Sequence, residues 1–228
     1  MYFCLLIFLK VNMLEKETIE YTGVELNPTY EGIISQIGEQ HFAVVDAFLP
    51  IQLVSQLRNN LQLKQEEDQL KKAAIGNRTN QLIAQSIRGD FIQWMDEQQA
   101  GPVEKLFFEE VNALIHYLNR TCFMGILHKE FHYALYPKGT YYQRHLDTFQ
   151  NDDRRVLSMV FYLNEADWNT QNGGDLVIYQ PTHSGEEAIH IHPFPGRLVI
   201  FESQILEHEV LPVLANERYS ITGWLKTR

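Results

Sequence analysis

Cysteine is scarce in this chain. Cys4 and Cys122 are the only two in 228 residues, and no Cys-x-x-Cys pair occurs. That excludes a disulfide-stapled scaffold and points to a reducing, cytoplasmic setting. Positive charge is thin too. Nineteen Lys and Arg stand against 29 Asp and Glu, giving a net charge of −10 with no basic run. A general binder of phosphate backbones is therefore not expected, and the acidic balance serves solubility. Long hydrophobic runs are missing as well. The apolar start MYFCLLIFLK is too short to span a membrane. It also lacks the basic opening and small-residue cleavage site of a signal peptide. Residues 1–12 read either as a translation start assigned too early, with Met13 the true start, or as a hydrophobic tail. No internal repeat or low-complexity tract is found. The expected partners include neither nucleic acid nor membrane.

What remains is a globular composition, 45% hydrophobic and 21% charged, long enough for one domain with a sizeable core. Residues 1–39 read as an N-terminal arm with one short helix near 28–38, and 40–228 as a single domain. HFAVVDAF (41–48) reads as a strand. Leu53, Val54, Leu57 and Leu61 recur at helical spacing behind Pro50, predicting an amphipathic helix over 50–66. Residues 66–80 read as a loop, and SIRGDFIQWM (86–95) as a bent strand or strand pair. Pro102 opens a second helix with Val103, Leu106, Phe107, Val111, Leu114, Ile115 and Leu118 on one face. Beyond Arg120 the pattern changes to short strands, at 130–137, 157–164, 175–180, 188–193, 197–203, 207–212 and 218–225, separated by Gly, Pro, Asn and Asp. Such a series predicts a sandwich, jelly roll or barrel, with the helices outside one sheet.

One stretch carries chemistry, FHYALYPKGTYYQRHLD, from Phe131 to Asp147. Strand alternation puts His145 and Asp147 side by side and turns Leu146 away. An imidazole and a carboxylate are two-thirds of the 2-His-1-carboxylate set of non-haem Fe(II) oxygenases. His208 is the third ligand candidate, in a later strand that an antiparallel barrel can bring alongside. Ten residues on, Arg218 opens RYSITGWL. There Arg218, Ser220, Thr222 and Trp224 share one face, and Tyr219, Ile221 and Leu225 the other. The planar guanidinium fork is the best side chain for holding a carboxylate.

The order His145-x-Asp147, His208, Arg218 resembles the Fe(II)/2-oxoglutarate dioxygenases, and within them the prolyl 4-hydroxylases of the hypoxia-inducible-factor type and their bacterial relatives. The resemblance runs over roughly 86–228, through SIRGDFIQWM, ALYPKGTYYQRHLD, SMVFYLNEADW, NGGDLVIY, GRLVIFES and HEVLPV. It implies a double-stranded β-helix (jelly roll), mainly β with flanking helices. Fe(II) would be held by His145, Asp147 and His208. Arg218 would pair with the distal carboxylate of 2-oxoglutarate, with Tyr162 and Tyr136 hydrogen-bonding that cosubstrate and Thr222 and Trp224 flanking its pocket. Arg155 matches an arginine near the substrate proline, and Arg88 and Asp90 a charged pair on a mobile covering loop. The implied reaction consumes O2, releases succinate and CO2, and hydroxylates a prolyl residue in a flexible segment of a protein, with ascorbate as an accessory reductant. This sequence departs from the pattern twice: Thr148 stands where relatives carry Asn, and the step from His208 to Arg218 is one residue longer.

Two rival readings stand beside this one. The same chemistry could act on a small molecule or another residue type, or a metal-binding jelly roll could sense without turnover. Arg218 and Tyr162 argue against the second, because a plain metal module needs no carboxylate clamp. His190 and His192 also put two imidazoles on one strand face. With no carboxylate or arginine spaced around them in the family order, they read as a solvated edge strand. Tyr141 and Tyr142 read as ordinary core aromatics, and Cys122 as a small buried hydrophobe.

Overall fold

The computed structural model describes residues 26–73, 88–148 and 154–227. The apolar start with Cys4 and Met13, and the residues Ser86 and Ile87, lie outside the described residues.

Three helices cover one face of a sheet. The first, α1 (Pro28–Gln40), starts on an Asn27 side chain that accepts from the backbone N–H groups of Thr29 and Tyr30, and ends on His41 in the left-handed region. It buries Ile33 completely, so residues set aside as part of an arm over 1–39 pack into the main core. After β1 (Phe42–Val45), α2 (Ile51–Glu66) buries Leu53, Val54, Leu57 and Leu61 as their spacing predicts. The stretch expected to be loop carries a two-residue strand, β2 (Lys71–Lys72), against β3 (Phe91–Met95). The longest helix, α3 (Pro102–Cys122), begins with Glu104 reaching back to the Gly101 N–H. Its Phe107, Val111, Leu114 and Leu118 are buried, whereas Leu106 is 47% exposed. Leu106 precedes Phe107 by one residue, about 100° around the helix, and that rotation takes it off the apolar face. Among the described residues no helix is long and apolar enough to cross a membrane.

The remaining strands are β4 (His128–Tyr136), β5 (Tyr142–His145), β6 (Arg155–Tyr162), β7 (Leu176–Thr182), β8 (Gly185–Ile191), β9 (Leu198–Glu202), β10 (Glu207–Val210) and β11 (Arg218–Lys226). They form two antiparallel sheets, one in the order β1-β9-β6-β11-β4-β3-β2 and one in the order β5-β10-β7-β8. This is the double-stranded β-helix. One core lies between the large sheet and the helices, where Phe107, Phe131 and Phe161 meet edge to face or tilted, centroids 5.0–6.1 Å apart. The second lies between the sheets, around Tyr162, Leu176, Ile178 and Phe201. Strand β11 separates them as its alternation predicts. Tyr219, Ile221 and Leu225 join the helix-side core, while Arg218, Thr222 and Trp224 face the mouth between the sheets.

Candidate metal and cosubstrate site

A cavity of about 280 Å³ opens at that mouth, and His145, Asp147, His208, Arg155, Thr222, Trp224, Tyr136 and Arg218 all border it. Backbone pairing brings the two imidazoles together. His145 on β5 and His208 on β10 are direct antiparallel partners, with ring centroids 4.3 Å apart. Asp147 arrives differently from the expectation. Strand β5 stops at His145, and a bend, not strand alternation, carries the carboxylate inward. Leu146 correspondingly borders the cavity rather than facing away from it.

The three donors suit a transition-metal ion. Asp147 Oδ1 lies 3.6 Å from His145 Nε2, Oδ2 lies 3.6 Å from His208 Nε2, and all three ligand atoms fall within 4.8 Å of one another. Each imidazole turns its other nitrogen to a backbone carbonyl, His145 Nδ1 donating to Gln143 O at 2.7 Å and His208 Nδ1 to Leu206 O at 3.2 Å. Those bonds leave the Nε2 lone pairs pointing at a shared centre. Burial pushes His208 down to about 4, which keeps it a neutral ligand at neutral pH. Burial works to raise Asp147, but His208, His145 and a hydrogen bond from Ser158 outweigh it and hold the carboxyl well below its usual range. Ser158 Oγ donates to Asp147 Oδ2 at 2.7 Å and is itself bonded to Ser203 at 2.8 Å. Arg155 Nη1 donates to the Asp147 carbonyl at 3.2 Å, and its guanidinium lies 3.6 Å from the centre of the Trp224 ring.

Deeper in the cavity wall, Arg218 is 2% exposed. It donates to Gly174 O at 2.9 Å and to Ser220 Oγ at 3.3 Å, with the rings of Tyr136 and Tyr162 each 5.0 Å away. Gly174 sits at φ +73°, and a Cβ there would lie 2.8 Å from Arg218 Cδ, so the glycine makes room for the arginine. No carboxylate among the described residues pairs with this cation. The Tyr162 phenol oxygen is buried without a hydrogen-bond partner, and burial raises its pKa despite the opposing Arg218. A buried cation without an anion and a buried hydroxyl without an acceptor fit one missing ligand, a carboxylate. Tyr162 reaches this group from behind Arg218; it does not border the open cavity.

The 2OG-Fe(II) oxygenase superfamily model matches residues 131–226, the span that holds the triad and Arg218. A prolyl-4-hydroxylase of Pseudomonas putida is 35% identical in sequence and superposes with a TM-score of 0.77, over 87% of this chain and 99% of that one. The chain belongs to the 2OG-Fe(II) oxygenase superfamily. A second oxygenase, a Trichoplax adhaerens prolyl hydroxylase solved with a peptide fragment of the hypoxia-inducible-factor oxygen degradation domain, is 28% identical with a TM-score of 0.76, over 87% of this chain and 89% of that one. A PKHD-type hydroxylase of Synechococcus sp. strain CC9605 is 34% identical over 90 residues, 39% of this chain and 38% of that relative, so the match spans well under half the length of the curated protein.

Within this oxygenase, eight of the nine residues read as metal, cosubstrate or substrate-side contacts border one cavity, and the ninth, Tyr162, lies against Arg218 in its wall. Between His208 and Arg218 the chain passes through the loop before β11, where Val213 bridges to Gly173 and Asn216 adopts φ 60°. His190 stands on the edge strand β8 and His192 just past its end, with no carboxylate following them in the family order, although one lies beside them in space. Asp175, on the neighbouring segment, lies 3.8 Å from His190 and 2.8 Å from His192. Their partner is near in space and distant in sequence, which spacing could not reveal. Reasoning from sequence also missed His132, Trp94, Ser158 and Tyr142. His132 shares the Tyr136 face of β4 by strand alternation, and Ser158 the Tyr162 face of β6, so that signal was present. Tyr142 had no such signal. Its place follows from a bulge described below.

Proposed function

We propose that this oxygenase is an Fe(II)- and 2-oxoglutarate-dependent dioxygenase that hydroxylates a prolyl residue in a flexible segment of a protein, releasing succinate and CO2. The observation that carries the activity is the pairing, in one cavity, of a His-Asp-His donor set with a buried arginine that lacks an anion. His145, Asp147 and His208 would hold the metal, and Arg218 and Tyr162 the distal carboxylate of the cosubstrate. When bound, iron and 2-oxoglutarate supply the oxidising chemistry. The chain's own residues bind, orient and exclude water. Ser158 and Arg155 fix the Asp147 carboxylate and backbone, and Phe201 packs edge-on against the His208 ring.

The prolyl assignment is supported by the relatives whose names record that activity and by the peptide bound to the Trichoplax protein. Trp94, His132 and Trp224 form a cluster of mutually tilted rings lining the cavity, apolar surface of the kind a pyrrolidine ring can pack on, with Arg155 over the Trp224 ring. Two measurements test this. The ferrous protein should decarboxylate 2-oxoglutarate. Supplied with proline-containing peptides of the host proteome, it should add one oxygen, about 16 Da, at proline. Oxidation confined to a free metabolite would remove the prolyl reading and leave the dioxygenase.

A further inference from the structure

Of the three donors, His145 has the least support. Asp147 and His208 are buried, whereas the His145 side chain keeps 17% exposure and stands on β5, an outer strand of its sheet. A hydrogen bond to Gln143 O holds one edge of its ring and leaves the ring faces to packing.

The Tyr142 ring supplies what is missing. It stacks on the His145 imidazole with centroids 3.7 Å apart and planes 20° from parallel. Residues three apart on a regular strand point to opposite faces, so this contact needs a defect. The register contains one. His145 pairs with His208 and Tyr142 with Val210, so three steps along β5 match two along β10. The extra residue is a bulge, which re-aims side chains where it occurs.

Tyr142 is in turn held by the segment entering β3. The Arg88 guanidinium carbon lies 4.3 Å from the centre of the Tyr142 ring. Arg88 bonds both oxygens of the fully covered Asp90 carboxylate, at 2.7 and 2.6 Å. The backbone follows the same path. Arg88 bridges to Tyr142, and the Gly89 N–H donates to Tyr141 O at 3.0 Å. A Cβ on Gly89 would come within 2.8 Å of Thr140 Cβ, so only glycine allows so close an approach. Burial pushes the Tyr142 phenol up to about 12, and the ring stays a neutral stacking surface.

We propose that Tyr142 is a positioning residue for the metal ligand His145, and that Arg88 acts on the metal through Tyr142. The inference rests on the metal-centre reading above. The segment that enters β3 beside the cavity is thereby coupled to how firmly the metal is held. Tyrosine serves because its flat ring can touch an imidazole and a guanidinium at once.

The test is Co(II) binding, followed by titration and by the visible d–d bands of the bound ion. Tyr142→Leu, with an unchanged unfolding temperature, should weaken Co(II) binding about tenfold, as loss of a ligand-orienting partner does, and shift those bands. Tyr142→Phe keeps the stack and should stay within about threefold of wild type, with the bands in place. Arg88→Met should weaken binding in the wild-type background and add nothing in Tyr142→Leu, since the two act as one unit. Unchanged affinity and bands in Tyr142→Leu, or an equal Arg88→Met effect in both backgrounds, would overturn the proposal. Should Tyr142→Leu not fold, Arg88→Met alone decides: unchanged Co(II) affinity overturns it. Wild-type protein that takes up no Co(II) would instead sink the metal centre itself.

Discussion

Replacing Arg218 by methionine separates a ligand clamp from a structural strut. The side chain is 2% exposed and makes two hydrogen bonds, to Gly174 O and Ser220 Oγ. Losing them costs about 1 kcal/mol each. Removing a buried cation that has no counter-ion relieves a desolvation penalty that offsets much of this, so unliganded stability should move by less than about 2 kcal/mol in either direction. The effect on 2-oxoglutarate is much larger. A charge-assisted, two-pronged bond to a carboxylate in this sheltered wall is worth about 1.5–3 kcal/mol, roughly ten- to a hundredfold in affinity. At a concentration a hundred times the wild-type Kd, the ligand stabilises the wild-type protein by about 2.7 kcal/mol, and a hundredfold weaker variant by only about 0.4 kcal/mol. For a domain of this size the thermal shifts are about 5–10 °C and about 1 °C. Calorimetry of the Mn(II)-loaded protein with and without 2-oxoglutarate reads both numbers, and metal analysis checks that the ion stays. A full ligand shift in Arg218→Met would mean that another group holds the carboxylate. An unliganded loss above about 4 kcal/mol would mean that the arginine is a strut.

Three further outcomes follow from the site. His145→Ala or Asp147→Ala should abolish stoichiometric Fe(II) binding with the fold retained, while His190→Ala should leave it intact; equilibrium dialysis with iron analysis distinguishes these. Ser158→Ala removes the 2.7 Å bond to Asp147 Oδ2 and should weaken metal binding about tenfold by titration, with little change in far-UV circular dichroism. His132 is 3% exposed, its Nδ1 has no hydrogen-bond partner, and burial lowers it from 6.5 to about 3. Between those values the unfolded chain takes up a proton that the folded one refuses, so this contribution is complete above pH 6.5 and falls by up to about 1.4 kcal/mol per pH unit on acidification. His132→Leu should therefore lose about 2 kcal/mol less than wild type between pH 7 and pH 5 in urea unfolding, and parallel losses would refute the burial argument.

Periodicity was enough to place α2, α3 and most strands of the jelly roll, because burial on one face leaves its period in the order of residues. The two faces of β11, one for the core and one carrying Arg218, Thr222 and Trp224 to the cavity, came from the same alternation. The donor types in His145-x-Asp147, His208 and Arg218 carried the chemistry, since few side chains can ligate iron or clamp a carboxylate. Other features were settled by contacts between segments far apart in sequence. The pairing of His208 with His145 is a register between strands, and register is not written in either strand alone. Asp147 reaches the two imidazoles through a bend, and Asp175, just before β7, reaches His192, just past the end of β8. Above all, Tyr142 lies over His145 because β5 carries one residue more than its partner β10. A bulge is a mismatch between two strands, and either sequence read alone shows ordinary alternation.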